Sequence, residues 1–225
     1  MLEPGTCFLA LEQTAGKGQR GKQWVVNPGE NITMSTVFAP SQRNSGTAPS
    51  RIRSFPFLLS AAVVLGCYDF IKGFGVPDLF IKWPNDVYSG DRKAAGVLIE
   101  NLYKGQLWEW AVAGTGINLN QTEFPLIDKK PVSIRMYTGK QHDVVQMGKL
   151  LHKFLSARYT WLEAKSADEI MDEYNSRLYR KGDEVRLKKE SMVFTTRIVN
   201  VSANGELVTS DTLERKFKVG EVDFV

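Results

Sequence analysis

The sequence predicts an α+β fold in two parts. Residues 1–178 form a larger region of strands and helices around a mixed sheet, and residues 179–225 form a small β-barrel. Three observations carry this reading. Short strand-like runs lie before and between two long helical periodicities, at 55–74 and 143–162. The residues between Asn27 and Asn120 are punctuated by Gly and Pro turns. From Lys181 onward the texture changes to short alternating runs. A chain of 225 residues buries roughly 70% of its unfolded surface, so a full core is available. With 43% hydrophobic and 24% charged residues, the composition excludes disordered, collagen-like and disulfide-scaffold classes.

Cys7-Phe-Leu-Ala-Leu reads as a short buried strand leading into a polar, glycine-rich loop from Gln13 to Gln23. Asn27-Pro28-Gly29 is a turn. Ile32 to Phe38 alternates as a half-buried strand should, and Pro40 to Ser50 is loop. Phe55 to Phe74 is apolar around its whole helical period and ends at Gly73 and Gly75, which predicts a buried helix. Leu79 to Trp83 is a strand stopped by Pro84. Gly96–Tyr103 and Leu107–Asn120 are the arms of a hairpin turning at Lys104-Gly105. Asp143 to Leu162 is an amphipathic helix with Val144, Met147, Leu151, Phe154 and Trp161 on one face. A shorter helix follows Ser166, where Ser-Ala-Asp-Glu forms a capping box. Five short strands then follow within about 45 residues, with Asn204-Gly205 as a hairpin turn, and predict the barrel.

The longest apolar run, Phe57–Tyr68, is broken by Ser60 and Gly66, and a membrane span needs roughly twenty residues. The N-terminal residues show no export signal. Cys7 and Cys67 stand far apart without CxxC spacing, which predicts reduced, buried thiols and a cytoplasmic protein. The net charge is +4. Cations exceed carboxylates by one over residues 1–50, two over 51–104, none over 105–179 and one over 180–225. Phosphate tracking needs a concentrated basic stripe, so neither a nucleic acid nor a membrane is expected as a partner.

Gly16-Lys-Gly-Gln-Arg-Gly21 matches the spacing of a dinucleotide-binding loop. That reading requires a helix opening at Gly21 and an acid about twenty residues on. The following Lys-Gln-Trp-Val-Val-Asn-Pro-Gly is no helix start, and Ser35 to Ser41 contains no acid, so an NAD-dependent enzyme is disfavoured. The loop instead alternates glycines with Lys17, Arg20 and Lys22 and closes on Trp24. Such a loop brings backbone N–H groups and cations to an anion, and the indole offers a stacking face. A solvated loop with Trp24 packed on the core is the plainer alternative. A second cluster runs from Lys82-Trp-Pro-Asn-Asp86 through Asp91-Arg-Lys-Ala-Ala-Gly-Val-Leu-Ile-Glu100. Pro84 presents Asn85 and Asp86 at a strand end, and Lys93 precedes the next strand and can point into the same crevice. One carboxylate with nearby oxygens suits Mg²⁺. Taken singly, Asp86 reads as a turn residue and Lys93 as a surface lysine.

Together with Ala113-Gly-Thr-Gly-Ile-Asn118, these stretches resemble the biotin protein ligase family. The resemblance covers nearly the whole chain and rests on four motifs in order. It implies a catalytic domain related to class II aminoacyl-tRNA synthetases over 1–178, followed by an SH3-like barrel over 179–225. The implied reaction joins biotin to ATP as biotinyl-5′-adenylate and passes the biotinyl group to a lysine of a biotin carboxyl carrier domain. Biotin, ATP and Mg²⁺ are the implied ligands. A carboxylase carrier domain is the implied partner, and a homodimer is compatible with the resemblance. By correspondence with the family motifs, Lys93 is the catalytic lysine touching both substrates. Gln13, Lys17, Gly18, Gln19, Lys93 and Gly96 fall at biotin-contacting positions. Arg20, Lys22, Trp24, Lys82, Trp83, Asn85, Asp86 and Asn118 fall on the ATP side, with Asp86 toward the metal. His142 and His152 lack metal-ligand spacing, and Trp108 and Trp110 alternate on a strand, so all four are expected to be structural.

The sequence departs from the family pattern in two ways. Only twelve residues precede Gln13, and none match the upstream Ser-Thr-Asn-type segment of the biotin pocket. No DNA-reading helix-turn-helix region is present in these residues, so repressor activity is not expected. Lys17, Gln19 and Lys22 stand where many members have arginine, which loses the bidentate fork and, at Gln19, the charge. A catalytically weak relative that binds nucleotide or a partner protein is therefore the rival reading. A lipoate ligase is disfavoured because its Arg-Arg-x-Ser-Gly-Gly-Gly-type motif is absent.

Overall fold

The computed structural model describes residues 3–21, 23–40, 52, 54–125 and 130–225. Six strands form the first sheet: β1 (Cys7–Ala10), β2 (Ile32–Phe38), β3 (Leu79–Lys82), β4 (Asp86–Ser89), β5 (Arg92–Lys104) and β6 (Leu107–Ile117), in the order β1-β2-β6-β5-β4-β3. Its ladders are antiparallel. Parallel bridges from Ile81 to Leu178 and from Lys93 to Pro131 make the arrangement mixed. Alternation along β6 decides which face does what. Ala111, Ala113, Thr115 and Ile117 are buried on the core side, whereas Val112, Gly114 and Gly116 face the other way.

Helix α1 (Phe57–Lys72) packs on the sheet between β3 and β6, beside α3 (Val144–Ala164), while α4 (Ala167–Ser176) closes the layer. The apolar run expected over 55–74 is thus a buried helix, with Leu58, Leu59, Val64, Leu65 and Phe70 inaccessible. At Gly66 a side chain would meet Leu155 Cδ2 at 2.9 Å, so glycine permits the close approach of α1 and α3. Asp143 caps α3 through the Gln146 N–H, and Ser166 and Glu169 form the expected capping box at α4. A short helix, α2 (Ile134–Thr138), and strand β4 were not anticipated. Each is four or five residues long, too short to show a period.

The C-terminal sheet contains β7 (Glu184–Lys189), β8 (Met192–Val201), β9 (Leu207–Ser210), β10 (Glu214–Phe217) and β11 (Asp223–Phe224). The five expected strands are present, but the sheet runs as an open series, β10-β9-β8-β7-β11. Among the described residues no ladder joins β10 to β11, so the closed barrel is corrected to a five-stranded sheet. Leu187, Ile198, Val201, Leu207, Phe217 and Val222 belong to the same apolar cluster as α1 and the first sheet.

Two further expectations need correcting. β1 is an edge strand, not a buried one, with Cys7 exposed and Phe8 58% accessible. Of the two free cysteines only Cys67 is buried, and burial, then the nearby Asp69, pushes its thiol up to about 12. β2 is buried on both faces because it lies inside β1 and is covered by α3. Residues 41–50 of the expected loop lie outside the described residues.

One guanidinium ties helices α1, α3 and α4 together. Arg158 on α3 donates to Asp69 on α1 at 2.6 Å and to Glu173 on α4 at 2.7 Å. Burial alone would raise the Glu173 carboxyl, but the Arg158 bond and charge, joined by Arg177, hold it below the ordinary glutamate value. Its stabilisation is therefore present above the unfolded-state pKa, near 4.3, and is lost as pH falls through the depressed folded value. Arg158→Met takes this guanidinium from two partly buried carboxylates, leaving Glu173 with Arg177 alone. It is expected to lower the unfolding free energy by about 2–3 kcal/mol at pH 7 and to flatten the loss of stability below about pH 5. Urea unfolding at a series of pH values measures both effects.

Candidate active site

On the face of the first sheet away from the helices lies a cleft of about 630 Å³. Its floor is β5 and β6, where Gly96 pairs directly with Gly116 and Leu98 with Gly114. The glycine-rich loop, the turn from β3 to β4 and the segment Val219–Phe224 of the C-terminal sheet form its walls. The Gly-x-Gly of β6, opposite Gly96 of β5, leaves the middle of this floor without side chains. That consequence could have been read from period-two alternation alone.

Lys93 and Asp86 meet at the centre. Strand β4 begins at Asp86, which lies opposite Gly96 on β5, three residues beyond Lys93. Lys93 Nζ stands 2.7 Å from Asp86 Oδ1, with both side chains largely shielded from solvent. A side chain at Gly96 would press on both, at 3.0 Å from Nζ and 3.2 Å from Oδ1. Backbone bonds fix the lysine's position, Lys93 N–H to Lys130 O and Val132 N–H to Lys93 O, each 2.9 Å. Asn118 donates its side-chain amide to the Lys93 carbonyl at 3.1 Å. The buried Asn85 amide donates to the Val97 carbonyl, and Val97 N–H returns a bond to Asn85 O at 3.0 Å. Behind this turn, the buried Tyr174 hydroxyl of α4 donates to Pro84 O at 3.0 Å. Burial, then the charge of Asp86, raises that phenol well above its usual value, so it stays a neutral donor.

The glycine loop folds over this centre. Trp24 N–H donates to Gly16 O at 2.9 Å, and Lys17 bridges to Gln23. At Gly16 a side chain would lie 2.3 Å from the Trp24 carbonyl, so only glycine fits. The indole lies on the floor: a Cβ at Gly116 would be 2.4 Å from Trp24 Cε2. Lys93 Nζ is 5.5 Å from the ring centre, and the indole N–H is buried without a partner. Gln19, Arg20 and Gly21 make a tight turn in which Arg20 adopts a left-handed conformation, φ 58°. From there Arg20 reaches Asp223 of β11 at 3.3 Å. Loop and C-terminal sheet thus meet over the cleft.

Lys82 is held differently from its neighbours. Its ammonium lies over three rings, Tyr88 at 4.7 Å, Phe224 at 4.9 Å and Tyr179 at 5.0 Å, an arrangement that attracts a cation through the ring quadrupoles. Burial, then Asp86, Tyr179 and Asp91, pushes the Tyr88 phenol far up, so the ring beside Lys82 remains neutral. Trp83 lines the cleft, but its indole N–H is committed to the Gly205 carbonyl at 2.9 Å.

Gln13, Lys17, Gly18, Gln19, Arg20, Trp24, Lys82, Trp83, Asn85, Asp86, Lys93, Gly96 and Asn118 therefore all line one cleft. Lys22 lies outside the described residues. Sequence reasoning missed Asp223 and Phe224, which reach the cleft from the end of the chain, and Tyr174, which supports the β3–β4 turn from behind; none of the three carries a local motif. His142 and His152 stand apart from the cleft, and among the described residues no group of three His, Cys, Asp or Glu is placed to hold a metal. Trp108 is buried in the core.

The sequence and the fold are similar to those of known proteins. Residues 1–118 match the model of the biotin/lipoate A/B protein ligase family. Over 118 residues the chain is 30% identical to the bifunctional ligase/repressor BirA of Escherichia coli (strain K12), covering 52% of this chain and 34% of that protein. Over 183 residues it is 29% identical to the biotin–[acetyl-CoA-carboxylase] ligase of Paracoccus denitrificans, covering 79% and 72%. The structure of the Aquifex aeolicus biotin protein ligase in complex with biotin and ATP matches with a TM-score of 0.81 at 25% identity, covering 100% of this chain and 90% of that one. The matched part of the chain spans about a third of the length of the BirA proteins of E. coli and Salmonella typhimurium.

Proposed function

Because this chain belongs to the biotin/lipoate A/B protein ligase family, we propose that it activates biotin with ATP and transfers the biotinyl group to a lysine of a biotin carboxyl carrier domain. The observation that carries this is Lys93, whose shielded ammonium sits 2.7 Å from Asp86 where the loop, the β3–β4 turn and the glycine floor converge. In the first step a biotin carboxylate oxygen attacks the α-phosphorus of ATP, the bond to the bridging oxygen breaks, and pyrophosphate leaves. Two anions must approach, so a cation between them lowers the barrier. Lys93 fills that role on the carboxylate side, with Asp86 holding its ammonium in place. In the second step the carrier lysine amine attacks the acyl carbon, AMP leaves, and the amine gives up a proton.

The remaining roles follow from correspondence with the family motifs. Gln13, Lys17, Gly18, Gln19 and Gly96 serve biotin. Arg20, Lys22, Trp24, Lys82, Trp83, Asn85, Asp86 and Asn118 serve the nucleotide. Asp86 is a single carboxylate, a donor set that fits Mg²⁺ arriving on the nucleotide phosphates rather than a resident metal. In this reading residues 179–225 are an open SH3-like module that walls the nucleotide end and faces the carrier domain. Biotin-dependent exchange of labelled pyrophosphate into ATP tests the proposal directly. Absence of exchange in the purified chain, with biotin and MgATP saturating, would refute it.

Retention of the adenylate is expected to be weak. Gln19 lines the cleft beside Arg20 and offers a neutral bond where a guanidinium would give a charge-assisted one. The difference is about 1 kcal/mol, or roughly fivefold in retention. Gln19→Arg is therefore expected to cut free adenylate and labelling of bystander lysines about fivefold, read by chromatography and by blotting for off-target biotin. An unchanged leak would remove Gln19 from the phosphate-holding set.

A further inference from the structure

The geometry points to Trp24 as a plug that occupies the biotin end of the cleft when no ligand is bound, an inference that rests on the biotin ligase reading above. The loop's assigned indole partner is the adenine, yet the ring stands elsewhere. It packs against Gly116, where an added Cβ would lie 2.4 Å from Cε2, 2.6 Å from Cζ2 and 2.7 Å from Nε1, and Gly116 pairs across the ladder with Gly96, the floor position assigned to biotin. Lys93, whose ammonium would meet the biotin carboxylate, is only 5.5 Å from the ring centre. The side-chain-free strip that could seat a flat fused ring system is thus already covered by one.

Two features show that the ring is held there without being fully satisfied. Its attraction to Lys93 and the tie of Trp24 N–H to Gly16 O at 2.9 Å keep it down. Its indole N–H, however, is sealed from solvent with no acceptor, and a buried donor left unpaired is a standing cost. Displacement relieves that cost, and it frees both ring faces for stacking on a base. Trp24 therefore opposes biotin and supports ATP, so a single substitution should move the two affinities in opposite directions. Wall or platform residues would move them together or move one alone.

Calorimetric titration of biotin without nucleotide, and of ATP without biotin, separates these cases in the full chain, Trp24→Ala and Trp24→Phe. If the plugged form dominates the free protein, Trp24→Ala should tighten biotin about three- to tenfold. The same substitution should weaken ATP about fivefold or more. Trp24→Phe, which keeps a smaller ring, should fall between on both scales. Biotin should also red-shift the tryptophan emission of the original chain and leave that of Trp24→Phe unshifted. Biotin binding that is unchanged or weaker in Trp24→Ala overturns the plug while leaving the ligase reading intact. Failure of all three proteins to bind biotin overturns the ligase reading and the plug with it.

Discussion

Lys93→Ala is expected to lower biotin-dependent pyrophosphate exchange by about 10²–10³-fold, with far-UV circular dichroism unchanged. The size follows from what the ammonium does. It lies in a largely shielded crevice, 22% accessible along its side chain, where its charge is screened less than on the open surface. Preorganised cations and donors aimed at developing charge contribute about 2.7–4 kcal/mol each when removed. The fold should survive because Lys93 is outside the apolar cluster, and its strand is fixed by backbone bonds to Lys130 and Val132. Loss of the Lys93 ammonium beside Asp86 would also make the site more negative, further disfavouring the approach of a carboxylate. Lys93→Arg is a sharper probe. It keeps the charge, but the ammonium is fitted against Asp86 at 2.7 Å, and a bulkier planar guanidinium cannot take the same place, so rescue should be partial at most. Exchange at the original rate in Lys93→Ala would remove this lysine from the chemistry.

The parts of the fold written locally were the legible ones. The buried helix at α1, the amphipathic α3, the capping box at Ser166 and the Asn204-Gly205 turn each declare themselves within a few residues. The motif residues of the cleft were legible for the same reason, since each cluster is a short continuous stretch, the longer one running from Lys82 to Glu100. What the chain hides is contact between remote segments. Arg20 meets Asp223 across 203 positions, and Trp83 meets Gly205 across 122. Neither pair has a shared motif. The aromatic enclosure of Lys82 draws on β4, the residue Tyr179 and the last strand. The burial of Cys7 was misjudged because an apolar tetrapeptide reads the same at a sheet's edge as at its centre. Closure of the C-terminal strands was misjudged because five short strands satisfy an open sheet and a barrel equally well.

Removal of residues 179–225 is expected to abolish cooperative folding rather than merely slow turnover. A separable lid would share few contacts with the remainder, and this sheet shares several that are buried. Asn175 on α4 clamps Val201 reciprocally, donating to its carbonyl at 3.0 Å and accepting from its N–H at 2.8 Å. Trp83 sends its buried N–H to Gly205 O. Gly205, at φ 81°, approaches Phe57 so closely that a Cβ there would lie 2.5 Å from the ring. Deletion strips Asn175 and Trp83 of their partners, at about 1–3 kcal/mol for each group that stays buried. It also uncovers apolar surface of α1 and α4 that the sheet's own core residues now cover, each such side chain contributing about 1.5–3 kcal/mol. Those losses together are comparable with a total stability of about 5–15 kcal/mol. The damage reaches the proposed catalytic centre, because Trp83 precedes the turn that presents Asn85 and Asp86. The 1–178 fragment is therefore expected to show a broad, non-cooperative urea transition and no detectable biotin binding. The milder Asn175→Ala, which keeps the sheet, should stay cooperative with its midpoint shifted down. A fragment that unfolds sharply and still binds biotin would show that residues 1–178 stand alone, and the sheet would then be a lid.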